Sequence, residues 1–499
     1  MTKKTRLLLR LLCPALILLL LLPAARADDT LPYDCYNYDH WNNILYTPAP
    51  YVPSGSLAGT DYTFRGEPVG AFRTPQDLCV SPDGSLYLAD TGNNRVVVFS
   101  PDMKTVTNII TGFEENGVAQ SFSSPSGVAV SESRRLYIAD SQNHRIVILN
   151  PDGSFYRYVR DPRSEVLDEN YVFTPLKVSV DYADRVYCVA QNMFQGIMVF
   201  TAEGDFTGFF GTISVKISLW EKFWRKVSTK EERSKQQLFI PTEFTGIDVD
   251  EEGFVYASNK DTDGIQAVRR LNPRGEDVIR RGARENLGGD LVFGSLGNYS
   301  GPSQIVDVVY RDHGIYSLLD ARRGRVFTYD HEGSLLYIFG GLGTQSGTFR
   351  TPAAIEHVGS LLLVLDSQQA CVNLFSETEY GSLINRAVAL RFSGDEAQAV
   401  DLWQQVLRLD ENNELANAGI GKAYLSAGDN ERALTYLRRG MNRAYYSVAF
   451  KRWRNEILRD NIGWVLTAAV VLAALLAVFL RVVRPKLREK KKAKGGTPA

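Results

Sequence analysis

Six positions, each two residues after a proline, vary in chemistry while the residues around them repeat: Asp77, Gly127, Lys177, Glu243, Gln304 and Ala354. Two carboxylates, an ammonium and an amide could select a charged or polar ligand if the chain brought them together. Asp77 and Glu243 could meet, but two carboxylates do not make a metal site. The five histidines (His40, His144, His313, His331, His357) are scattered without a shared phase, and no C-x-x-C pair suggests zinc. Neither a nucleophile elbow, a phosphate loop nor a nucleic-acid signature is present, so no catalytic residue, metal or cofactor is expected. A second set pairs an Asp with an Arg five residues on: Asp90 and Arg95, Asp140 and Arg145, Asp320 and Arg325. Asp and Asn favour turns because their side chains bond nearby amides, and an Arg at this distance can return across a hairpin to meet the Asp. A repeated element should do the same job in each copy, so fold maintenance is assigned to these residues.

The elements that must position both sets are visible as a repeat. Phe72 to Phe99 returns as Phe122 to Leu149, with Pro75/Pro125, Tyr87/Tyr137, Asp90/Asp140, Asn93/Asn143 and Arg95/Arg145 aligned without a gap. A third copy begins at Phe173, and looser ones begin near Ile240, Gly301 and Phe349. Each reads as alternating apolar runs separated by turns, which predicts half-buried strands joined as hairpins. One such sheet cannot bury both faces alone, whereas six arranged radially can. The six copies resemble NHL repeats, most specifically in the first two. That resemblance implies a mainly β fold, a six-bladed NHL β-propeller over 67–380. No copy carries the Gly-His and Trp-Asp pair of WD40 repeats.

In such a ring the positions after the repeat prolines are expected to line one mouth of the central channel, where ligand selectivity would sit. Asp77, Lys177, Glu243 and Gln304 are therefore binding candidates, against the alternative of solvated loop ends. Spacing between the repeat prolines is 50, 50, 66, 61 and 50 residues, so the connections before Pro241 and Pro302 carry something extra. At about 212–238 a capping box, Ser218 with Glu221, opens a basic amphipathic helix. Its apolar side holds Trp220, Phe223 and Trp224. That face either packs on the propeller rim or docks a partner or lipid headgroups.

The two ends carry the targeting signals. Basic residues, the apolar run Leu11–Leu22 and Ala25-Arg26-Ala27 predict a cleavable signal peptide over 1–27. Residues 28–66 are aromatic and Pro-rich, and the stretch near 41–65 is the candidate for a strand that closes the ring. Cys35, Cys79, Cys188 and Cys371 remain in the mature chain and are read as buried thiols. After Gly381 the period becomes helical. Ser393-Gly394-Asp395 recurs 34 residues on as Ala427-Gly428-Asp429, and residues 382–444 resemble two tetratricopeptide repeats. A juxtamembrane helix is expected over 445–461, a single transmembrane helix over 462–482, and a basic tail over 483–499. Positive charge after Leu480 places the C-terminus in the cytoplasm and the propeller outside the cell membrane.

With a formal charge of −1, the chain has no global attraction to nucleic acid. The arrangement resembles bacterial membrane-anchored NHL proteins. The expected role is a binding or scaffold module for a protein partner or ligand near the membrane, with a transport or envelope complex as candidate partner. The alternative is a propeller enzyme of lactonase or lyase type, which would use a central divalent metal.

Overall fold

Each copy of the repeat folds as an antiparallel meander, because β-branched and aromatic runs alternate with turns that hold the chain at positive φ. Asn94 and His144, at φ 55° and 54°, end the Asp-x-x-Asn turns of the first two copies. A computed structural model describes residues 31–487, apart from 161, 163–166, 168–169, 213–242, 262–265, 282–286, 288 and 291–301. The expected signal segment, the insertion helix with Trp220, Phe223 and Trp224, and the end of the basic tail lie outside these residues.

Six sheets form the propeller. Blade one is Asp77–Val80, Leu86–Asp90, Arg95–Phe99 and Val106–Ile110; blade two is Pro125–Val130, Leu136–Asp140, Arg145–Leu149 and Phe155–Val159. Blade three follows as Pro175–Val180, Val186–Ala190, Ile197–Phe200 and Phe206–Phe210. Among the described residues blade four has three strands, Phe244–Val249, Val255–Asn259 and Val268–Leu271. Blade five, Ile305–Tyr310, Tyr316–Asp320, Arg325–Tyr329 and Leu335–Phe339, is widened by a hairpin of Tyr36–Tyr38 and Ile44–Tyr46. Blade six combines Pro352–Val358, Leu361–Asp366 and Cys371–Glu377 with an outer strand from the other end of the domain, Tyr51–Ala58. The first strand of every blade packs beside that of the next, and blade six returns to blade one.

The strands are buried more completely than alternation alone predicts. Leu136–Asp140 and Tyr316–Asp320 are buried along their whole length. A blade is covered on both faces by its neighbours, so the sides that a lone sheet would leave wet become core. Tyr137, Tyr187, Tyr256 and Tyr316 fill these interfaces at 2% exposure or less. Burying a large apolar side chain contributes ~1.5–3 kcal/mol, so the blade interfaces supply most of the cohesion. Cys35, Cys79, Cys188 and Cys371 are free thiols.

The C-terminal unit begins at Leu383 and is helical. Its five helices are α1 (Glu379–Phe392), α2 (Glu396–Leu409), α3 (Glu414–Ser426), α4 (Asn430–Arg439) and α5 (Arg443–Val478). Side chains of Asn413, Asp429 and Asn442 cap α3, α4 and α5 by accepting from backbone N–H groups in their first turns. Gly421 permits close packing, since a Cβ there would sit 2.6 Å from Leu437 of α4. Arg443–Leu487 forms a continuous helical run of 45 residues, long and apolar enough to cross a membrane.

Candidate functional site at the propeller axis

The site is built by the innermost strand of each blade, at the residue opposite the end of the second strand. Asp77 faces Ala89, Gly127 faces Ala139, Lys177 faces Val189, Gly246 faces Ser258, Asp307 faces Leu319 and Ala354 faces Leu365. The Lys177 ammonium of blade three reaches Asp77 Oδ1 of blade one at 2.5 Å and Asp307 Oδ2 of blade five at 3.3 Å. Partners two blades away on either side draw the ammonium across the axis. The blades that flank the lysine carry glycine at this level, for a steric reason. A Cβ on Gly127 would lie 2.9 Å from Lys177 Cα, and one on Gly246 would lie 2.2 Å from Asp307 Oδ1.

Two residues further along the same strands, Cys79, Asp248 and Glu356 form a second, half-buried layer. The acids also fasten the blades together. Asp77 Oδ2 accepts from Val128 N–H of blade two at 3.0 Å, Asp248 Oδ2 from Tyr310 N–H of blade five at 2.7 Å, and Asp307 Oδ2 from Ile355 N–H of blade six at 3.0 Å. An innermost strand has an open edge, and these carboxylates satisfy N–H groups that would otherwise be buried without partners.

Four acids against one lysine shape the electrostatics. Burial pushes Asp248 up to about 7, against the pull of the Tyr310 and Val249 amides, and nearby Asp307 adds to the rise. Glu356 is pushed well above the usual carboxylate range by burial and then by Asp248. Burial also raises Asp77, to about 6, although Lys177 pulls it down. For Lys177 burial acts downward, but Asp307 and Asp77 outweigh it and hold the ammonium charged. The Cys79 thiol is raised well above its ordinary value by burial and Glu356, which makes it a poor nucleophile.

Of the four rim candidates, Asp77 and Lys177 do come together, but inside the axis rather than at a solvated mouth. Glu243 and Gln304 do not join them. Glu243 Oε1 accepts from Asn192 N–H at 3.0 Å, and its other oxygen lies 3.7 Å from Lys260. The Gln304 backbone N–H donates to Asp320 Oδ1 at 2.8 Å. In blades four and five the proline stands three residues farther from the strand than in the first three blades, so counting forward from it gives the wrong phase. Counting back thirteen residues from the turn position, Asp90, Asp140, Ala190, Asn259 or Asp320, reaches Asp77, Gly127, Lys177, Gly246 or Asp307. That count would have found Asp307, and Asp248 two residues after Gly246.

The turn motif has an observable task. Asp90 Oδ2 accepts from Asn93 Nδ2 at 2.8 Å and Arg95 Nε at 2.7 Å, while Oδ1 accepts from Arg73 N–H at 2.7 Å. Asp140 repeats this with Asn143, Arg145 and Ser123 N–H. Each Asp thus ties its turn to the segment entering the same blade. Blade five departs from the expected pairing. Asp320 stands opposite Arg325, yet the guanidinium donates to the carbonyls of Asp34 at 2.7 Å and Gly340 at 2.5 Å.

A divalent metal does not fit these axial residues. Among the described residues no three His, Cys, Asp or Glu side chains converge as a metal site, and the Lys177 ammonium already bridges the two first-layer carboxylates.

The NHL repeat profile matches residues 72–99 and 122–149. No protein with a curated description matches the chain. Similar solved structures include virginiamycin B lyase from Staphylococcus aureus, at 9% identity over 69% of this chain and 87% of that one, with a TM-score of 0.38. Hydrazine synthase of Kuenenia stuttgartiensis is 11% identical over 63% of this chain and 99% of that one, with a TM-score of 0.38. A gluconolactonase candidate is 14% identical over 66% and 94%, with a TM-score of 0.39. Residues 72–99 and 122–149 are NHL repeats, and the fold that holds them is a six-bladed β-propeller.

Proposed function

We propose that the chain is a membrane-tethered binding module whose propeller holds a protein partner near the membrane. The observation that carries this reading is the axis. In propeller enzymes of lactonase or lyase type a central metal would do the chemistry, whereas here the centre is filled by Lys177 with Asp77 and Asp307. An axis closed by the protein's own ion triad leaves rims and blade edges as the surfaces for recognition. Support for the tether comes from the apolar run within Arg443–Leu487. Arg481, Arg484 and Lys486 beyond it favour a cytoplasmic C-terminus and an extracytoplasmic propeller. The 34-residue spacing in the helical unit favours tetratricopeptide-like repeats, a second binding scaffold. A transport or envelope complex is the candidate partner.

Crosslinking in intact membranes, followed by identification of what co-purifies, tests this. A single protein recovered in constant proportion to the chain is the expected result. Hydrolysis of lactones by the purified chain, or calcium or zinc retained through dialysis, would overturn it in favour of the enzyme.

A further inference from the structure

Resting on the tether in that reading, we infer that α5 is also a self-association helix, which pairs in parallel with α5 of a second copy of this chain. The helix has two different sides. Through one it packs on its own unit: Ala449 is fully buried, Glu456 Oε1 accepts from Asn430 Nδ2 at 2.7 Å, and Arg452 donates to the Leu425 carbonyl at 3.3 Å. Roughly a quarter turn away on a 3.6-residue helix stand Tyr446, Phe450, Trp453 and Ile457. Tyr446 stacks on Phe450 at 6.4 Å and Phe450 meets Trp453 at 5.8 Å, yet Phe450 and Ile457 remain 42% and 41% exposed. The steps between these residues are four, three and four, the spacing of a coiled-coil seam, and the same steps continue through Asp460 to Trp464, Val471 and Val478. Within the span every face is apolar, so the stripe above it singles out one side.

Where this side stands decides what can cover it. Phe450 lies twelve residues before Ile462, where the apolar run begins, which is ~18 Å along the helix. Headgroups reach only ~5–8 Å beyond the hydrocarbon, so lipid covers neither Phe450 nor Trp453, even on a helix tilted by ~20°. A second copy does reach them. Anchored in one bilayer, two copies share orientation and depth, so each seam residue meets its own counterpart. Phe450, Ile457, Trp464, Val471 and Val478 are between 41% and 80% exposed. That is roughly 500 Å² per helix, and pairing covers about 1,000 Å², the size a specific interface needs. Confinement to the membrane plane also removes part of the entropic cost of association. Asp460 is the one ionised seam position. It lies at the water boundary with Arg459 Nε 3.5 Å away, and a lone polar seam residue fixes register at some loss of stability.

The test places single added cysteines in the full chain in native membranes and oxidises them. A disulfide needs Cα atoms within ~7 Å, so dimer yield at Phe450→Cys, Trp453→Cys and Ile457→Cys should exceed that at Lys451→Cys, Asn455→Cys and Arg459→Cys by at least ~5-fold. The unaltered chain, with its own free thiols, sets the background. Adding Phe450→Glu and Ile457→Glu to Trp453→Cys should remove the crosslink while leaving the Ala449 face packed, and Asp460→Leu should strengthen it. Equal yield around the helix, a crosslink that survives the two glutamates, or adducts only with another protein overturns the pairing. Alkaline extraction separates the two readings. A chain washed off the membrane removes the tether and the pairing with it, whereas a chain that stays without seam disulfides loses the pairing alone.

Discussion

The turns that follow the second strands of blades two and five carry the same Asp and Arg at the same spacing, and they bond differently. Asp140 and Arg145 meet at 2.9 Å. Asp320 and Arg325 are register partners too, but the arginine turns to the carbonyls of Asp34 and Gly340. Asp320 keeps its backbone donors, the Gln304 and Arg322 N–H groups, and burial raises it above the usual carboxylate range. The surroundings differ. Blade five is widened by the hairpin 36–46, and the segment leading into that hairpin offers the Asp34 carbonyl to Arg325, whereas Arg145 of blade two keeps Asp140 while also donating to the Ser121 carbonyl and the Tyr158 hydroxyl. Spacing therefore dictates which residues stand opposite each other, while the packing outside the blade decides whether they bond.

The largest effect sets the scale for this comparison, because the axial lysine joins three blades where each turn serves one. Lys177→Ala leaves two buried carboxylates without their cation and should cost ~3–5 kcal/mol in denaturant unfolding. A loss no greater than that of Arg145→Ala would show that the axis is not the main polar fastening. Next comes the bonded turn. Asp140→Ala and Arg145→Ala should each cost ~1–3 kcal/mol, and the double variant should fall short of their sum by at least ~0.5 kcal/mol. In blade five the same cycle should close: Asp320→Ala and Arg325→Ala should add to within ~0.5 kcal/mol, because the two side chains do not touch. Arg325→Ala should also speed proteolysis within 31–50, since it releases the Asp34 carbonyl. Coupling in blade five as strong as in blade two would erase the distinction.

The smallest effect separates the axis from both turns. Asp248 and Glu356 have folded values raised above their unfolded ones, so the folded state binds more protons in the interval between. Their contribution is complete below about pH 4 and is lost as pH rises through about 7 for Asp248. The melting temperature should fall by ~2–4 °C between pH 5 and pH 8, the shift that ~1 kcal/mol produces in a large domain. Asp248→Asn should flatten the profile, and a melting temperature that rises over this interval would contradict the assignment.

Much of the fold is legible in the sequence because its signals are local. Alternating runs, a Pro at the start of each copy and the Asp-x-x-Asn-x-Arg turn all lie within thirty residues, and the helical period after Gly381 repeats after only 34. The axis is less legible, because its residues are neighbours only through the ring. Lys177 meets Asp77 and Asp307 across separations of 100 and 130 residues, and no local pattern ties the three together. Counting from prolines brought Glu243 and Gln304 into the candidate set in place of Gly246 and Asp307, since loop length before the strand varies between blades. The hairpin at 36–46 repeats nothing elsewhere in the chain, and with it the redirection of Arg325 went unseen.

The outer strand of blade six has a consequence in time. Tyr51 lies across from Glu377, 326 residues later. At ~5–20 residues per second, synthesis takes roughly 16–65 s to cover that distance. Throughout this interval the strand Tyr51–Ala58 lacks its partner Cys371–Glu377, and its edge is open to any other strand that reaches it. Blades one to four can collapse as they appear, since each is contiguous in the chain. For nearly the whole of its synthesis, then, the propeller is an open arc, and blade six is complete only when Cys371–Glu377 meets Tyr51–Ala58.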